Sequence, residues 1–393
     1  MTNKLYTPIL ITFFLFLLVV ILFPTLILWH AGETWSESSI AKHQIENDSI
    51  FSYGLLDHEI PYKKAMYNAV KPHITIIGSS RVLEFRQDMF SEPFYNMGRG
   101  LNLQDLRGEI EFLLQNPNLK IVLLGLDYWN FGNHFCENPT KYKKIETAIG
   151  NNSENIAKFS NIIPRQILDV WPMIFDGRIS MKLFWYYATT GHLEAKNKLG
   201  LRPLYSNRGG YLNDGFYVYL NLFNDLERLE NEREKAIVRH LDEGMPYQIS
   251  KDEQFCDQAI SDLLWIEEIL EKRGVEFIVF LPPLPKRHAM LFSTSTAKSI
   301  YEKMLVSLRK IEARLPIYNY LDTQKWTFSE QEFIDEIHPG EVISYRILAN
   351  LSQEEQSIKH SIHSEFIQEQ IINCSGRPVC SQGFERYSLQ PKW

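Results

Sequence analysis

No block of five or more basic residues stands anywhere in this chain, and the formal net charge is −7. Nucleic acid is held through a basic surface, so that class of partner is excluded. Cysteine is scarce, with four in 393 residues: Cys136, Cys256, Cys374 and Cys380. No C-x-x-C or Cys/His spacing suggests zinc, and nothing in the chain calls for a cofactor. There is no internal repeat and no low-complexity segment. What is present is a globular composition, 45% apolar and 23% charged, long enough for one large domain or two ordinary ones.

The first long feature is an apolar run from Ile9 to Trp29, interrupted only by Thr12 and Thr25 among polar residues and carrying no charge. As a helix it is about 30 Å long, which matches the hydrocarbon core of a bilayer. Pro24 lies near its far end, where a kink is tolerated, and Trp29 and His30 suit an interfacial position. The run is long for the apolar part of a signal peptide, and only Ala31-Gly32 offers a weak cleavage site, so an uncleaved transmembrane anchor is expected over 9–29. Lys4 precedes the span, and Glu33 and Glu37 follow it. The positive-inside rule then puts the main domain on the extracytoplasmic side. Such a location permits a Cys374–Cys380 disulfide around Ser-Gly-Arg-Pro-Val, although spacing alone fits two free thiols as well. Cys136 and Cys256 stay open between pairing and free thiols.

After a polar stretch, 31–72, read as a stalk and leading helix, the chain alternates strands and helices. Ile74–Ile77 is a short β-branched run of the kind buried on both faces in a parallel sheet. Phe94–Met97 and Leu119–Leu124 are further strands, separated by a helical pattern over Leu103–Gln115. Residues 132–250 break the alternation and are expected to form a helical insertion. Its aromatic residues Trp171, Phe184, Trp185, Tyr186 and Tyr187 fit a core or, less readily, a ligand groove. The alternation resumes with a helix over Asp252–Arg273, a strand at Val275–Leu281, a helix over Thr294–Arg314 and a strand at Ile317–Tyr320. Residues 354–393 read as a polar tail. The fold class is therefore α/β, a three-layer sandwich around a parallel sheet, with the domain proper at 73–353.

The chemistry gathers at two places. Gly78-Ser79-Ser80-Arg81 follows the first central strand, where a serine hydroxyl stands at the carboxyl edge of the sheet beside free backbone N–H groups. Far downstream, Asp335-Glu336-Ile337-His338 sets an acid and an imidazole three residues apart, so that the carboxylate can orient the ring as a general base. With 48 acids and 11 histidines, about one such spacing arises by chance. Its place after the last strand, at the edge where Ser80 lies, gives it weight. Arg81 reads as one half of a solvated or structural ion pair or, as the lesser alternative, as a contact for an acidic substrate group, and His288 as a surface residue.

In these residues the chain resembles the SGNH (GDSL-like) hydrolase superfamily. The resemblance runs over about residues 70–350. It puts Ser80 in the nucleophile position, with Asp335 and His338 matching the Asp-x-x-His block. Gly98 and Gly100, in Asn-Met-Gly-Arg-Gly, match the loop that supplies an oxyanion donor, Gly100 the better. The third block departs: Gly125-Leu126-Asp127-Tyr128 has Asp127 where an oxyanion-binding Asn is expected. An ionised carboxylate repels an oxyanion, so either Asp127 is protonated or the donors are Asn130 or backbone N–H groups alone. A Gly-Ser-Ser form behind one anchor looks like exported proteins of cell-envelope acylation. That likeness implies a serine esterase or O-acyltransferase working through a serine acyl intermediate. Its partners are an acylated glycan or acyl-donor protein and a membrane-bound O-acyltransferase. The alternative is an inactive module of the same fold that binds a glycan or a membrane partner.

Overall fold

The computed structural model describes residues 3–55, 59–99, 106–132, 167–182, 185, 189, 197–206, 209–220, 226–243, 249, 254–293, 295–322, 325–326 and 328–380. It is an α/β protein. Five parallel strands form the central sheet: β2 (Ile74–Gly78), β3 (Phe94–Asn96), β4 (Ile121–Gly125), β8 (Glu276–Leu281) and β9 (Ile317–Asn319), in the spatial order β3-β2-β4-β8-β9. β2 pairs in register with β4 from Ile74↔Ile121 to Gly78↔Gly125.

The strands are apolar throughout because both faces are covered. Ile77, Val122, Leu124, Val279 and Leu281 point into one core, shared with helices α3 (Glu59–Val70), α4 (Leu106–Leu113), α6 (Gln258–Glu271) and α7 (Ser295–Ile311). Their strand neighbours Ile74, Ile76, Leu123, Ile278 and Phe280 point into the other, closed by α8 (Glu341–Glu354), α9 (Gln356–Ser361) and α10 (Ser364–Cys374). The alternation follows from the period of two in a strand, and continuous apolar runs result when both sides are dry.

Three segments differ from the sequence reading. Residues read as a stalk hold α2 (Glu37–Asn47) and β1 (Ile50–Phe51), and Ile40, Phe51, Tyr62 and Met66 are wholly buried. The residues 354–374, read as tail, supply Ile358 and Ile367 to the second core. Their sparse apolar side chains sit on one face each, a pattern easily lost in a polar background. The insertion is not purely helical either. It adds β5 (Lys198–Leu199), β6 (Gly210–Tyr211) and β7 (Tyr217–Val218), which join β1 in a second sheet ordered β5-β1-β6-β7. These strands are only two residues long, too short for a periodic signal. α5 (Leu226–Glu243) is one helix of the insertion, rich in charge.

α1 (Asn3–His30) contains a stretch, Leu10–His30, long and apolar enough to cross a membrane. It is joined tightly to the domain. Glu33 is buried and its carboxylate accepts from the backbone N–H of Gly54 (2.7 Å), Leu201 (2.9 Å) and Leu55 (3.5 Å). Burial pushes this carboxyl up to about 7, against those three hydrogen bonds. Cys374 and Cys380 form a disulfide, Cα–Cα 5.5 Å, and Cys256 is also disulfide-bonded. Cys136 lies outside the described residues.

Paired glycines at the ends of β2 and β4 let the serine turn sit hard against the sheet. A Cβ at Gly125 would stand 2.2 Å from Val82 Cγ1, and one at Gly78, where φ is +152°, would stand 2.8 Å from the Gly125 carbonyl oxygen. Gly125→Ala is therefore expected to cost about 1–3 kcal/mol by overpacking. Adding Val82→Ala should restore part of the loss. Chemical denaturation of the single and double variants checks this, and a Gly125→Ala midpoint equal to wild type would contradict it.

Candidate active site

β2 and β4 are neighbours whose following chains leave to opposite sides, so the crevice beyond their carboxyl ends is a topological switch point. The turn after β2 enters it. The chain there forms a single 3₁₀ turn, Ser80–Val82. Ser79 caps it, its Oγ accepting from the Arg81 N–H at 3.2 Å. The turn aims Ser80 at the loop that precedes α8.

That loop is tightly folded. Ile334 N–H donates to the His338 carbonyl (2.9 Å), and Gly340 N–H donates to the Glu332 carbonyl (2.9 Å). Asp335 turns its carboxylate back on its own backbone. Oδ1 accepts from the N–H of Ile337 (2.9 Å) and His338 (2.8 Å), and Oδ2 meets His338 Nδ1 at 2.6 Å. The other ring nitrogen, Nε2, is 2.7 Å from Ser80 Oγ. Three residues spread over 258 positions thus form one hydrogen-bonded relay, acid to imidazole to hydroxyl. Burial pushes the Asp335 carboxyl up, but the His338 charge and the three hydrogen bonds outweigh it and hold it below its ordinary value. An ionised Asp335 keeps the proton on Nδ1 and leaves Nε2 as acceptor for the serine proton.

Asp127 and Arg81 stand together. Both side chains are wholly buried, with Nη1 to Oδ1 at 2.9 Å. Arg81 also donates from Nε to the Ile337 carbonyl (3.0 Å) and from Nη2 to the carbonyls of Pro282 (2.9 Å) and Pro283 (2.5 Å). Its guanidinium carbon lies 5.5 Å from the centre of the Trp129 ring. Burial raises the Asp127 carboxyl, and the Arg81 charge pulls it back. The pair stays ionised, since a proton on Asp127 would leave a buried guanidinium without its counter-charge. Asp127 is therefore committed to Arg81, and its carboxylate is no oxyanion donor.

The remaining residues divide by what their donors do. The Gly98 N–H is spent on Asn96 Oδ1 at 2.8 Å. Gly100 lies outside the described residues. Asn130 Oδ1 accepts from the Asp127 N–H at 3.0 Å, which turns its amide nitrogen the other way. Of the insertion aromatics, Trp171 packs on α1, Trp185 is exposed, and Phe184, Tyr186 and Tyr187 lie outside the described residues. Among the described residues no group of three or more His, Cys, Asp or Glu is placed to hold a metal.

Two contributors had little sequence signal. His288, read as a surface residue, is wholly buried, its ring 5.2 Å from that of His240 on α5. The Pro282-Pro283-Leu284-Pro285 loop folds it under the Asp335–His338 loop, where burial, with the charges of His240 and Arg81, pushes its pKa down to about 3. α5 grips the same loop: Arg233 Nη1 donates to the Phe333 carbonyl at 3.2 Å, and Arg239 and His240 flank Glu336 at 3.7 and 3.8 Å. Charges scattered along a helix read as a solvated face, and only the tertiary contact gives them a role. No family model, no curated protein and no solved structure matches the chain.

Two outcomes follow from this geometry. Arg81→Met strands the Asp127 carboxylate and three carbonyls, so it should lower the unfolding free energy by about 3–5 kcal/mol. Arg81→Lys, which keeps the charge without the fork, should fall between. Denaturant titration reads both, and a neutral Arg81→Met would contradict the ion-pair account. His288 gives a pH slope. Its folded pKa of about 3 lies below the ordinary 6.5, so between those values the unfolded chain binds a proton that the folded one refuses. Stability should fall as pH drops from about 6.5 towards about 3. His288→Gln should flatten that part of the thermal-stability profile, and an unchanged slope would sink the assignment.

Proposed function

We propose that this chain is a membrane-anchored serine esterase or O-acyltransferase of the SGNH type, acting on an acylated cell-envelope glycan. The observation that carries the reading is the continuous relay from Asp335 through His338 to Ser80 Oγ. The strand order β3-β2-β4-β8-β9, a flavodoxin-like arrangement with the serine at its switch point, supports the SGNH assignment. The apolar α1 and the disulfides support a domain held on the oxidising, extracytoplasmic side.

In the reaction, Ser80 Oγ attacks the acyl carbonyl while its proton passes to His338 Nε2. Asp335 stabilises the imidazolium that forms. The tetrahedral intermediate collapses, the donor C–O bond breaks, and the departing alcohol takes the proton from Nε2. A serine ester remains. Water or a sugar hydroxyl then attacks the ester as its proton passes to Nε2, the bond from the acyl carbon to Ser80 Oγ breaks, and Nε2 returns the proton to Oγ. Water completes an esterase cycle, and a sugar completes a transfer. The oxyanion is met by the Ser80 N–H, the Asn130 amide and, as the SGNH likeness implies, Gly100; the Gly98 N–H is already taken by Asn96. A membrane-bound O-acyltransferase is the natural source of acyl groups for a transferase of this kind.

Asp127 motivates one other reading, an inactive module of the same fold, because its carboxylate is bound to Arg81 and supplies no amide donor. Labelling of the full-length protein with a fluorophosphonate probe separates the two. Wild type should label at one site, and Ser80→Ala and His338→Ala should lose the label, the latter by a factor of at least about 10³. Absence of label on folded wild-type protein would favour the binding module.

A further inference from the structure

Pro24 sits within the apolar stretch of α1. Having no N–H, it cannot bond to the carbonyl four residues earlier, which is that of Val20. An unpaired carbonyl inside a membrane span costs several kcal/mol, so a partner is needed. The partner is Trp171, whose indole Nε1 donates to the Val20 oxygen at 3.1 Å. The Trp171 ring also packs on Phe23, centroids 5.9 Å apart. Residues 167–175 form a helix alongside α1, with Ile167, Val170 and Met173 buried against Ile27, Leu28 and Ala31.

The lengths show where this helix must lie. The part of α1 before the contact, Leu10–Val19, supplies about 15 Å, half of the roughly 30 Å that a hydrocarbon core requires. The other half of the span is the part covered by residues 167–175. The arrangement is also fixed. Tyr205 Oη lies 2.8 Å from His30 Nδ1, the Gly200 N–H donates to the Ala31 carbonyl at 2.7 Å, and Glu33 is held by three backbone donors. The domain cannot swing away from the anchor without breaking these bonds. On the side away from α1, Leu168 and Phe175 are one heptad apart and hence on one face, 58% and 81% exposed.

We infer that residues 167–175 are a second membrane-embedded element, lying in the leaflet on the domain's side with Leu168 and Phe175 among lipid acyl chains. Asp169 and the Asp176–Arg178 ion pair (2.7 Å) hold it near the headgroup level. The site is thereby held at the bilayer surface, with its orientation set by two elements instead of one. This rests on the reading of α1 as a membrane span.

The test uses the full-length protein in phosphatidylcholine–phosphatidylglycerol vesicles, with an environment-sensitive fluorophore on a single introduced cysteine. Among the described residues no native cysteine is free to compete. The positions are Leu168→Cys and Phe175→Cys, with Phe14→Cys on α1 and Ile372→Cys on α10 as references, all exposed side chains. Labels at 168 and 175 should lose emission to nitroxide-bearing lipid and resist aqueous iodide, as the label at 14 does. The label at 372 should show the opposite. Iodide quenching at 168 and 175 with lipid quenching kept at 14 would overturn the inference alone. Lipid quenching absent at 14 as well would overturn the span on which it rests. Protection at 168 and 175 from both quenchers would mean that protein, a second copy of this chain, covers the face, and would also overturn it. A second arm uses Trp171→Phe, which keeps the ring and removes the donor. It should lower the melting temperature of the wild-type chain but much less so in a Pro24→Ala background, where the substituted residue returns an N–H to the Val20 carbonyl. Equal losses in both backgrounds would contradict the role of Trp171.

Discussion

The guanidinium of Arg81 joins four loops that would otherwise be independent. From one buried position it reaches Asp127 after β4, Pro282 and Pro283 after β8, and Ile337 between the acid and the histidine of the relay. It is itself adjacent to Ser80. A serine, a histidine and an aspartate brought from opposite ends of the chain stay within hydrogen-bond reach of one another only if their loops are fixed together. The planar fork of an arginine suits this task because its donors point in fixed directions and its charge never titrates. The cost is a buried charge, and Asp127 offsets it. A residue that reads in sequence as a break in the site, an acid where an amide donor belongs, is the counter-ion of the group that assembles it.

Around that junction the supports are steric and local. Gly78 and Gly125 let Val82 sit on the sheet and fix the height of the serine turn. Asn96 donates to the carbonyls of Val82 (2.7 Å) and Phe85 (2.9 Å) while accepting from Gly98, so the chain after β2 and the loop after β3 move as one. On the far side α5 and His288 brace the Asp335–His338 loop. The side chains of Asp335 and His338 keep some exposure, 35% and 21%, so the relay opens to solvent while its supports are dry.

How much of this was legible in the sequence depended on the strength of each local pattern. The central strands were plain, because runs such as Ile121–Leu124 have one good explanation, burial on both faces. The relay residues were legible through chain order and spacing. The shape of the insertion was not, since two-residue strands leave no periodicity and its charged helix buries only a narrow stripe. The burial of His288 was equally hidden, because no neighbour in sequence announces the loop that covers it. The partner of Arg81 could have been suspected: an acid in a strand-end position otherwise flanked by apolar residues needs a counter-charge, and the nearest cation at the same sheet edge is Arg81.

The central claim is that Ser80 carries an acyl group in the course of the reaction. The most direct measurement is peptide mapping by mass spectrometry after brief incubation of the full-length protein with an activated acetyl ester and rapid acid quench. The account predicts one acetyl group, on the peptide containing Ser80, absent when position 80 is alanine. Acetyl found only on other residues, or none on folded protein that hydrolyses or transfers the ester, would contradict it.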